Sequence, residues 1–442
     1  MVLIRQILQE SASRRPDGIA IKAGDQMISY RLLAEQVARL AAGLLDCGLS
    51  PGDRIAVLLP NTVELVTTML AASYAELIVV PLLADYPPPQ NGDILSHTAA
   101  RALVTSPTLL SAIPADSLQR LSTVVLTGEQ TPGRVCYDGL IASAPRDIPH
   151  SETEIDPIGL IVYTSGSTGR PKGVAHTQAR LVNRADLFIS ALALTADDAT
   201  LTAHHLGRPL FFVANLLAML RVGGCLALVD PPDIDWFWRV YDETQPTYYL
   251  SPPGYIYRLV ESPSAALADH SRLKGWINVG DQSGVELQRR VATLTGRSFL
   301  NMFGMTETGF LAMTPPAVSV KPGSMGKPLS GVEMRLVDQN GREVDPGEVG
   351  RLRVRTPNMM VGYWNDTLQT HRVMGTGWFD TQDLMKVDED GDYWFMGRGS
   401  EVIVRNGANV ASALVIETLE AFWRRPEFHA DQEQRERRAA GG

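Results

Sequence analysis

Cysteine is scarce. Cys47, Cys136 and Cys225 are the only three in 442 residues, and they lie far apart. Such spacing excludes a disulfide framework and the paired pattern of a zinc site, and it fits a reducing cytoplasm. There is no excess of basic residues: 40 Lys and Arg stand against 49 Asp and Glu, a formal net charge of -9. An acidic balance argues against a general nucleic-acid binder, which needs a basic footprint. A local basic pocket is still allowed. No apolar run is long enough to span a bilayer. The most apolar region, Leu65 to Leu83, is interrupted by Glu76 and reads as helix, turn and buried strand. The opening Met-Val-Leu-Ile-Arg-Gln-Ile-Leu-Gln-Glu lacks the apolar core and cleavage site of a signal peptide. Neither an internal repeat nor a long low-complexity segment precedes the charged tail.

What is present is ordinary globular composition, 45% hydrophobic and 20% charged, in a chain longer than one typical domain. Helical and strand patterns alternate. A helix is expected over Val2–Glu10, a hairpin from Ile19–Lys22 and Met27–Tyr30, and a helix over Tyr30–Leu45. Strands Ile55–Leu59, Ile78–Leu82, Leu103–Thr105 and Thr123–Thr127 follow, with a helix near Val63–Tyr74. The Pro-rich stretch from Asp85 to Gly92 reads as a loop. This alternation predicts parallel-sheet α/β architecture.

The most informative stretch is Tyr163-Thr-Ser-Gly-Ser-Thr-Gly-Arg-Pro-Lys-Gly-Val174. Thr164, Ser165, Ser167 and Thr168 offer hydroxyls. Gly166, Gly169 and Gly173 let the backbone turn back and bring its N–H groups close to a ligand. Lys172 adds a cation. Such a loop can cradle an anion. The apolar Ile158–Tyr163 reads as a buried strand, so the loop leaves a strand end, where ligands of α/β sheets sit. The usual P-loop spacing is not met, because Lys172 follows a proline and precedes a glycine.

This segment resembles the phosphate loop of the adenylate-forming superfamily: acyl- and aryl-CoA synthetases, luciferases and the adenylation domains of peptide synthetases. The resemblance runs over roughly residues 1–410. Asn301-Met-Phe303-Gly304-Met305-Thr306-Glu307-Thr308 is similar to the family's aromatic-Gly-x-Thr-Glu signature in its CoA-synthetase form. It implies Phe303 for adenine stacking, Thr306 for the α-phosphate and Glu307 as a Mg²⁺ ligand, with Asn301 and Gly304 part of the nucleotide site. Gly347 to Tyr363 resembles the segment that opens with Gly-Glu and closes with Gly-Tyr. Trp378-Phe-Asp-Thr-Gln-Asp383 resembles Trp-Phe-x-Thr-Gly-Asp. It implies Asp383 as the ribose ligand, with Gln382 in place of glycine. Arg398 matches the arginine that offers a forked cation to ribose or phosphate.

The acyl pocket is implied at about 200–310. His204 and His205 suit either a polar contact to the acyl group or a packed pair, and Phe211 and Phe212 either pocket wall or core. No acid occurs between Leu201 and Val229. A buried ammonium would need a counter-charge, so the expected substrate has no free α-amino group. Gly280 and Asp281 fall at the adenine strand end, where Gly280-Asp-Gln-Ser283 replaces the usual Gly-Gly-Ala. The alternating residues Arg351, Arg353 and Arg355 suit a solvated strand face.

The resemblance implies a large domain over 1–397. It comprises the phosphate loop at 163–174, stacked parallel-sheet α/β subdomains and a small β-rich subdomain at about 320–397. A hinge and a shortened remnant of a mobile C-terminal domain are expected over 398–442. There the expected hinge aspartate is Ser400 and the expected lysine is Val404. No residue matches the family's late catalytic lysine; Arg405, Arg424 and Arg425 offer only charge. The implied activity is ATP- and Mg²⁺-dependent activation of a small-molecule aryl or short-to-medium acyl acid, with pyrophosphate released. The acceptor would be CoA or a carrier protein's pantetheine. No nucleic-acid or membrane partner is expected. A catalytically weak nucleotide-binding protein is the alternative from another class.

Overall fold

The computed structural model describes residues 1–128, 130–143, 148, 156–164, 171–316 and 320–398. It also describes the backbone of two short strands, Ile403–Arg405 and Ala408–Val410. Two large sheets and one small sheet organise the described residues. In the nine-stranded sheet, Ile19–Ala23, Ala199–Thr202, Cys225–Leu228, Tyr248–Ser251, Gly275–Asn278 and Phe299–Met305 run parallel. Antiparallel strands flank them: Gln26–Ser29 at one edge, Gly309–Met313 and Lys327–Pro328 at the other.

The eight-stranded sheet has a parallel body of Arg54–Leu58, Ile78–Pro81, Ala102–Thr105, Thr123–Leu126, Val135–Cys136 and Ile158–Thr164. It is extended by antiparallel Lys172–Thr177 and Gly362–Tyr363. The small sheet, Glu333–Val337, Gly350–Arg355, Phe379–Val387 and Tyr393–Arg398, is antiparallel throughout.

Helices fill the space between the large sheets. Tyr30–Asp46 begins where the Ser29 hydroxyl accepts from the Leu32 N–H, a cap that meets one of the helix's orphan donors. Its buried Leu33, Val37 and Leu40 lie in one core with Val66 and Met69 of helix Val63–Tyr74 and Leu181, Val182 and Phe188 of helix Gln178–Leu192. The same core takes Ile55, Val57 and Val79 from one sheet and Leu226, Tyr248 and Leu250 from the other. Tyr30 is fully buried, and its hydroxyl donates to the carbonyls of Met219 (3.0 Å) and Gly224 (2.7 Å). A second, aromatic core covers the outer face of the nine-stranded sheet with Phe237, Trp238, Tyr249 and Trp276.

The parallel-sheet expectation holds, with one correction among the elements. The Asp85–Gly92 stretch is not all loop: a helix, Pro88–Thr98, starts inside it. Proline is compatible with the first helical turn, where an N–H has no intrahelical acceptor. The expected strand face of Arg351, Arg353 and Arg355 carries ion pairs, Arg355 with Glu333 at 2.6 Å and Arg351 with Asp380 at 3.5 Å, while Arg353 is half-buried. All three cysteines are free. No helix among the described residues is long and apolar enough to cross a membrane.

Candidate active site

The carboxyl ends of both large sheets open onto one cavity of about 620 Å³. Pro81 and Thr164, at the ends of two strands of one sheet, line it. From the other sheet come His204, Pro252, Gly280, Met302 and Gly304, each at or just beyond a strand's carboxyl end. Clefts of this kind are where open α/β sheets place ligands.

Thr164 belongs to a hairpin. Strand Ile158–Thr164 pairs antiparallel with Lys172–Thr177, and Thr164 stands opposite Lys172 in register. The glycine-rich stretch is therefore the loop of a hairpin closed by a hydroxyl residue and a lysine. Ser165, Gly166, Ser167, Thr168 and Gly169, named above as phosphate ligands, lie outside the described residues, as do Gly399–Val402 and everything beyond Val410.

Strand Phe299–Met305 carries the second motif. Met302, Gly304, Met305 and Thr306 line the cavity. A Cβ at Gly304 would stand 2.4 Å from the Gly309 carbonyl oxygen, so the close approach of these strands requires glycine. Phe303 points away from the cavity lining, and its ring centroid is 6.5 Å from that of Phe395 in the small sheet. Asp383 and Arg398 sit on this same small sheet, directly opposite each other in register, 3.6 Å apart between Oδ1 and Nε. The Asp383 side chain is 5% exposed and that of Arg398 65%. Phe303, Asp383 and Arg398 are not among the residues lining the cavity; Phe303 meets the small sheet through Phe395, and Asp383 and Arg398 lie on that sheet.

Gln382, where the resemblance has glycine, adopts a left-handed φ of 63° inside strand Phe379–Val387, at a register shift against Gly350–Arg355. Its side chain is exposed. It takes on strain that glycine would not carry.

Glu307 is half-buried. Its Oε1 accepts from the Tyr363 hydroxyl at 3.1 Å, and no cation is within ion-pair distance among the described residues. A half-buried carboxylate held at one oxygen still offers the hard oxygen donor that a divalent ion requires, so Glu307 fits Mg²⁺. Lys172 lies on the other side of the same tyrosine, its Nζ 5.3 Å from the ring centroid. Arg184 adds a buried guanidinium to the cavity wall, 2% exposed. It donates to the Asn358 carbonyl through Nε (3.0 Å) and Nη2 (2.7 Å), and to the Thr306 carbonyl through Nη1 (3.4 Å). Burial and the neighbouring Arg180 bring its pKa down to about 9, so it is still charged at neutral pH.

At the other end of the cavity, His204 stacks on Phe211 at 4.7 Å, meets Tyr255 edge-on at 5.1 Å, and bonds the Ser251 hydroxyl through Nε2 at 2.7 Å. Burial, with a smaller push from Arg208, lowers its pKa to about 4, so the ring is neutral. His204 is both packed and part of the cavity lining. Among the described residues the lining contains Arg184, Arg208 and His204 and no carboxylate.

Four of the expected site residues do not line the cavity. His205 is turned away from the cavity lining, with Nε2 on the Leu59 carbonyl at 2.7 Å and Nδ1 accepting from the Gly207 N–H. Phe212 is 2% exposed, within the central core rather than the wall. Asn301 is fully buried and engaged by protein groups. Its Nδ2 donates to the Ser324 carbonyl, and its Oδ1 accepts from Asn278 and Ser283. Asp281 is exposed, its Oδ1 accepting from the Gln282 N–H. Gly280, by contrast, lines the cavity. Sequence reasoning missed Tyr363 and Arg184. Tyr363 closes a matched segment, which was a signal; Arg184 sits in an ordinary helical pattern and gave none.

Residues 8–364 match the AMP-binding enzyme family. The feruloyl-CoA synthase of an Amycolatopsis species is 30% identical over 417 residues, 93% of this chain and 82% of that protein. The indoleacetate–CoA ligase of Aromatoleum aromaticum is 29% identical, covering 92% of this chain and 80% of that one. ATP-bound MatB from Rhodopseudomonas palustris superposes with a TM-score of 0.84 at 26% identity, covering 93% and 82%. An anthranilate CoA ligase solved with anthranoyl-AMP shares the fold at a TM-score of 0.88 and 24% identity, covering 93% and 80%. With a convergent strand-end site and a family match over most of its length, this chain belongs to the AMP-binding enzyme family, the adenylate-forming enzymes that include the acyl- and aryl-CoA ligases.

Proposed function

We propose that this protein activates a carboxylic acid with ATP and passes the acyl group to the thiol of CoA. A carboxylate oxygen attacks the α-phosphorus, the bond from the α-phosphorus to the α,β-bridging oxygen breaks, and pyrophosphate leaves. The thiol then attacks the acyl carbon and AMP leaves. Both reactants of the first step are anions, so the site must neutralise charge and align them. Thr164, Thr306 and Lys172, with the loop 165–169, would bind the phosphates. Asp383 and Arg398 would hold the ribose, beside Phe303 for the adenine. Glu307 would hold Mg²⁺, which when bound supplies positive charge to the phosphate oxygens. The observation that carries this reading is that Thr164 and Thr306, from two different sheets, line one cavity.

The acid is an aryl or short-to-medium acyl one without a free α-amino group. The cavity lining supports this: it holds Phe211, Phe310 and Val213, two arginines and a neutral histidine, and, among the described residues, no carboxylate to meet an ammonium. CoA relatives favour CoA as acceptor over a carrier protein's pantetheine, and parallel loading assays with CoA and a purified carrier separate the two. A weakly catalytic nucleotide-binding protein is the second reading, favoured by Ser400, Val404 and Gln382 at family positions. Isotopic ATP–pyrophosphate exchange over a panel of carboxylic acids tests both. Acid-dependent exchange supports activation; ATP binding without exchange for any acid supports the second reading.

A further inference from the structure

We propose that Tyr363 is a positioning residue that sets the Glu307 carboxylate for a divalent ion and holds the Lys172 ammonium in place beside it. The inference rests on the activation reading above. Its hydroxyl donates to Glu307 Oε1 at 3.1 Å, and its ring faces Lys172 Nζ at 5.3 Å from the centroid. One side chain therefore contacts the lone acid of one motif and the lone lysine of the other. A cation over a tyrosine face is attracted to it, and a phenol bound to a carboxylate oxygen restricts that carboxylate's rotation.

The backbone around Tyr363 is built to hold it there. Tyr363 pairs with Val174 in the sheet, one strand from the phosphate hairpin's first arm, and the Trp364 N–H donates to the Gly173 carbonyl at 2.7 Å. The Met360 N–H donates to the Glu307 carbonyl at 2.6 Å. Two arginines four residues apart on helix Gln178–Leu192 clamp the preceding turn. Arg180 donates to the Met359 and Met360 carbonyls, and Arg184 bridges the Asn358 and Thr306 carbonyls. The segment that presents Tyr363 and the segment that presents Glu307 are thus tied to one buried cation.

The test uses Mn²⁺ as the metal probe. Electron paramagnetic resonance reads its binding with ATP, calorimetry reads ATP binding without metal, and pyrophosphate exchange reads the Mg²⁺ dependence. Tyr363→Phe keeps the ring over Lys172 and loses the bond to Glu307. It should weaken Mn²⁺·ATP binding about 10-fold, as expected for losing a hydrogen bond to a charged group, and leave metal-free ATP binding unchanged. Tyr363→Leu should weaken both. In a Glu307→Gln background, Tyr363→Phe should add nothing further to the loss of metal binding. A folded Tyr363→Phe variant with wild-type Mn²⁺·ATP affinity and wild-type Mg²⁺ dependence overturns the inference and leaves the activation reading standing. A wild-type protein that binds no Mn²⁺·ATP overturns both.

Discussion

Single residues carry most of the departures from the family pattern. Gln382 holds a φ of 63° in place of glycine. A left-handed backbone costs a residue with a Cβ about 1 kcal/mol. Gln382→Gly should therefore stabilise the protein by about that amount, read as a higher urea midpoint at unchanged slope. The strand pairing with Gly350–Arg355 continues on both sides of the register shift at this residue.

The roles of Lys172 and Glu307 are testable in the same way: Lys172→Ala or Glu307→Gln should each lower pyrophosphate exchange about 10²–10³-fold, the usual cost of removing one transition-state partner. The melting temperature should hardly move, since both side chains are only half-buried. His176, His204 and His205 give the molecule an acid-sensitive core. Burial lowers all three pKa values below 6.5, that of His204 to about 4. In the unfolded chain these rings take protons as the pH falls through their ordinary range, while in the folded protein they do not. Stability is thus unaffected above about pH 6.5 and is lost below it, by about 1 kcal/mol at pH 5.5 for His204, whose pKa lies near 4. Urea titrations at pH 7.5 and 5.5 measure this. Neither ring nitrogen of His176 has a partner among the described residues. His176→Leu should remove its share of the pH slope at little cost in stability at pH 7.5, because an unpaired buried polar group is replaced by an apolar one.

Among the elements, the phosphate hairpin was half legible. Strand Ile158–Thr164 could be read from its apolar run. The return strand Lys172–Thr177 could not, because its Lys-Gly-Val-Ala-His-Thr has no alternation and its partner on the far side, Gly362–Tyr363, comes from much later in the chain. Helix Pro88–Thr98 was masked by its own prolines, which mark a helix start as readily as a loop. Asn301 was legible as part of a motif but not as a structural group. Its role depends on Asn278, Ser283 and Ser324, which arrive from separate segments. Asn301→Ala should cost about 2–4 kcal/mol, as loss of a buried network does, with ATP affinity unchanged. Calorimetry on the folded variant distinguishes this from a ligand contact, which would lose affinity.

At the scale of the whole molecule, alternating strand and helix patterns predict parallel sheets and do not say how the sheets face each other. That arrangement follows from tertiary packing: one continuous core takes side chains from both sheets and the helices between them. It brings Thr164 and Thr306, far apart in sequence, to the rim of one cavity. Acid-dependent ATP–pyrophosphate exchange tests this convergence most directly. The account predicts exchange with at least one aryl or short-to-medium acyl acid, abolished together by Lys172→Ala and Glu307→Gln. Exchange that persists undiminished in both variants would contradict it.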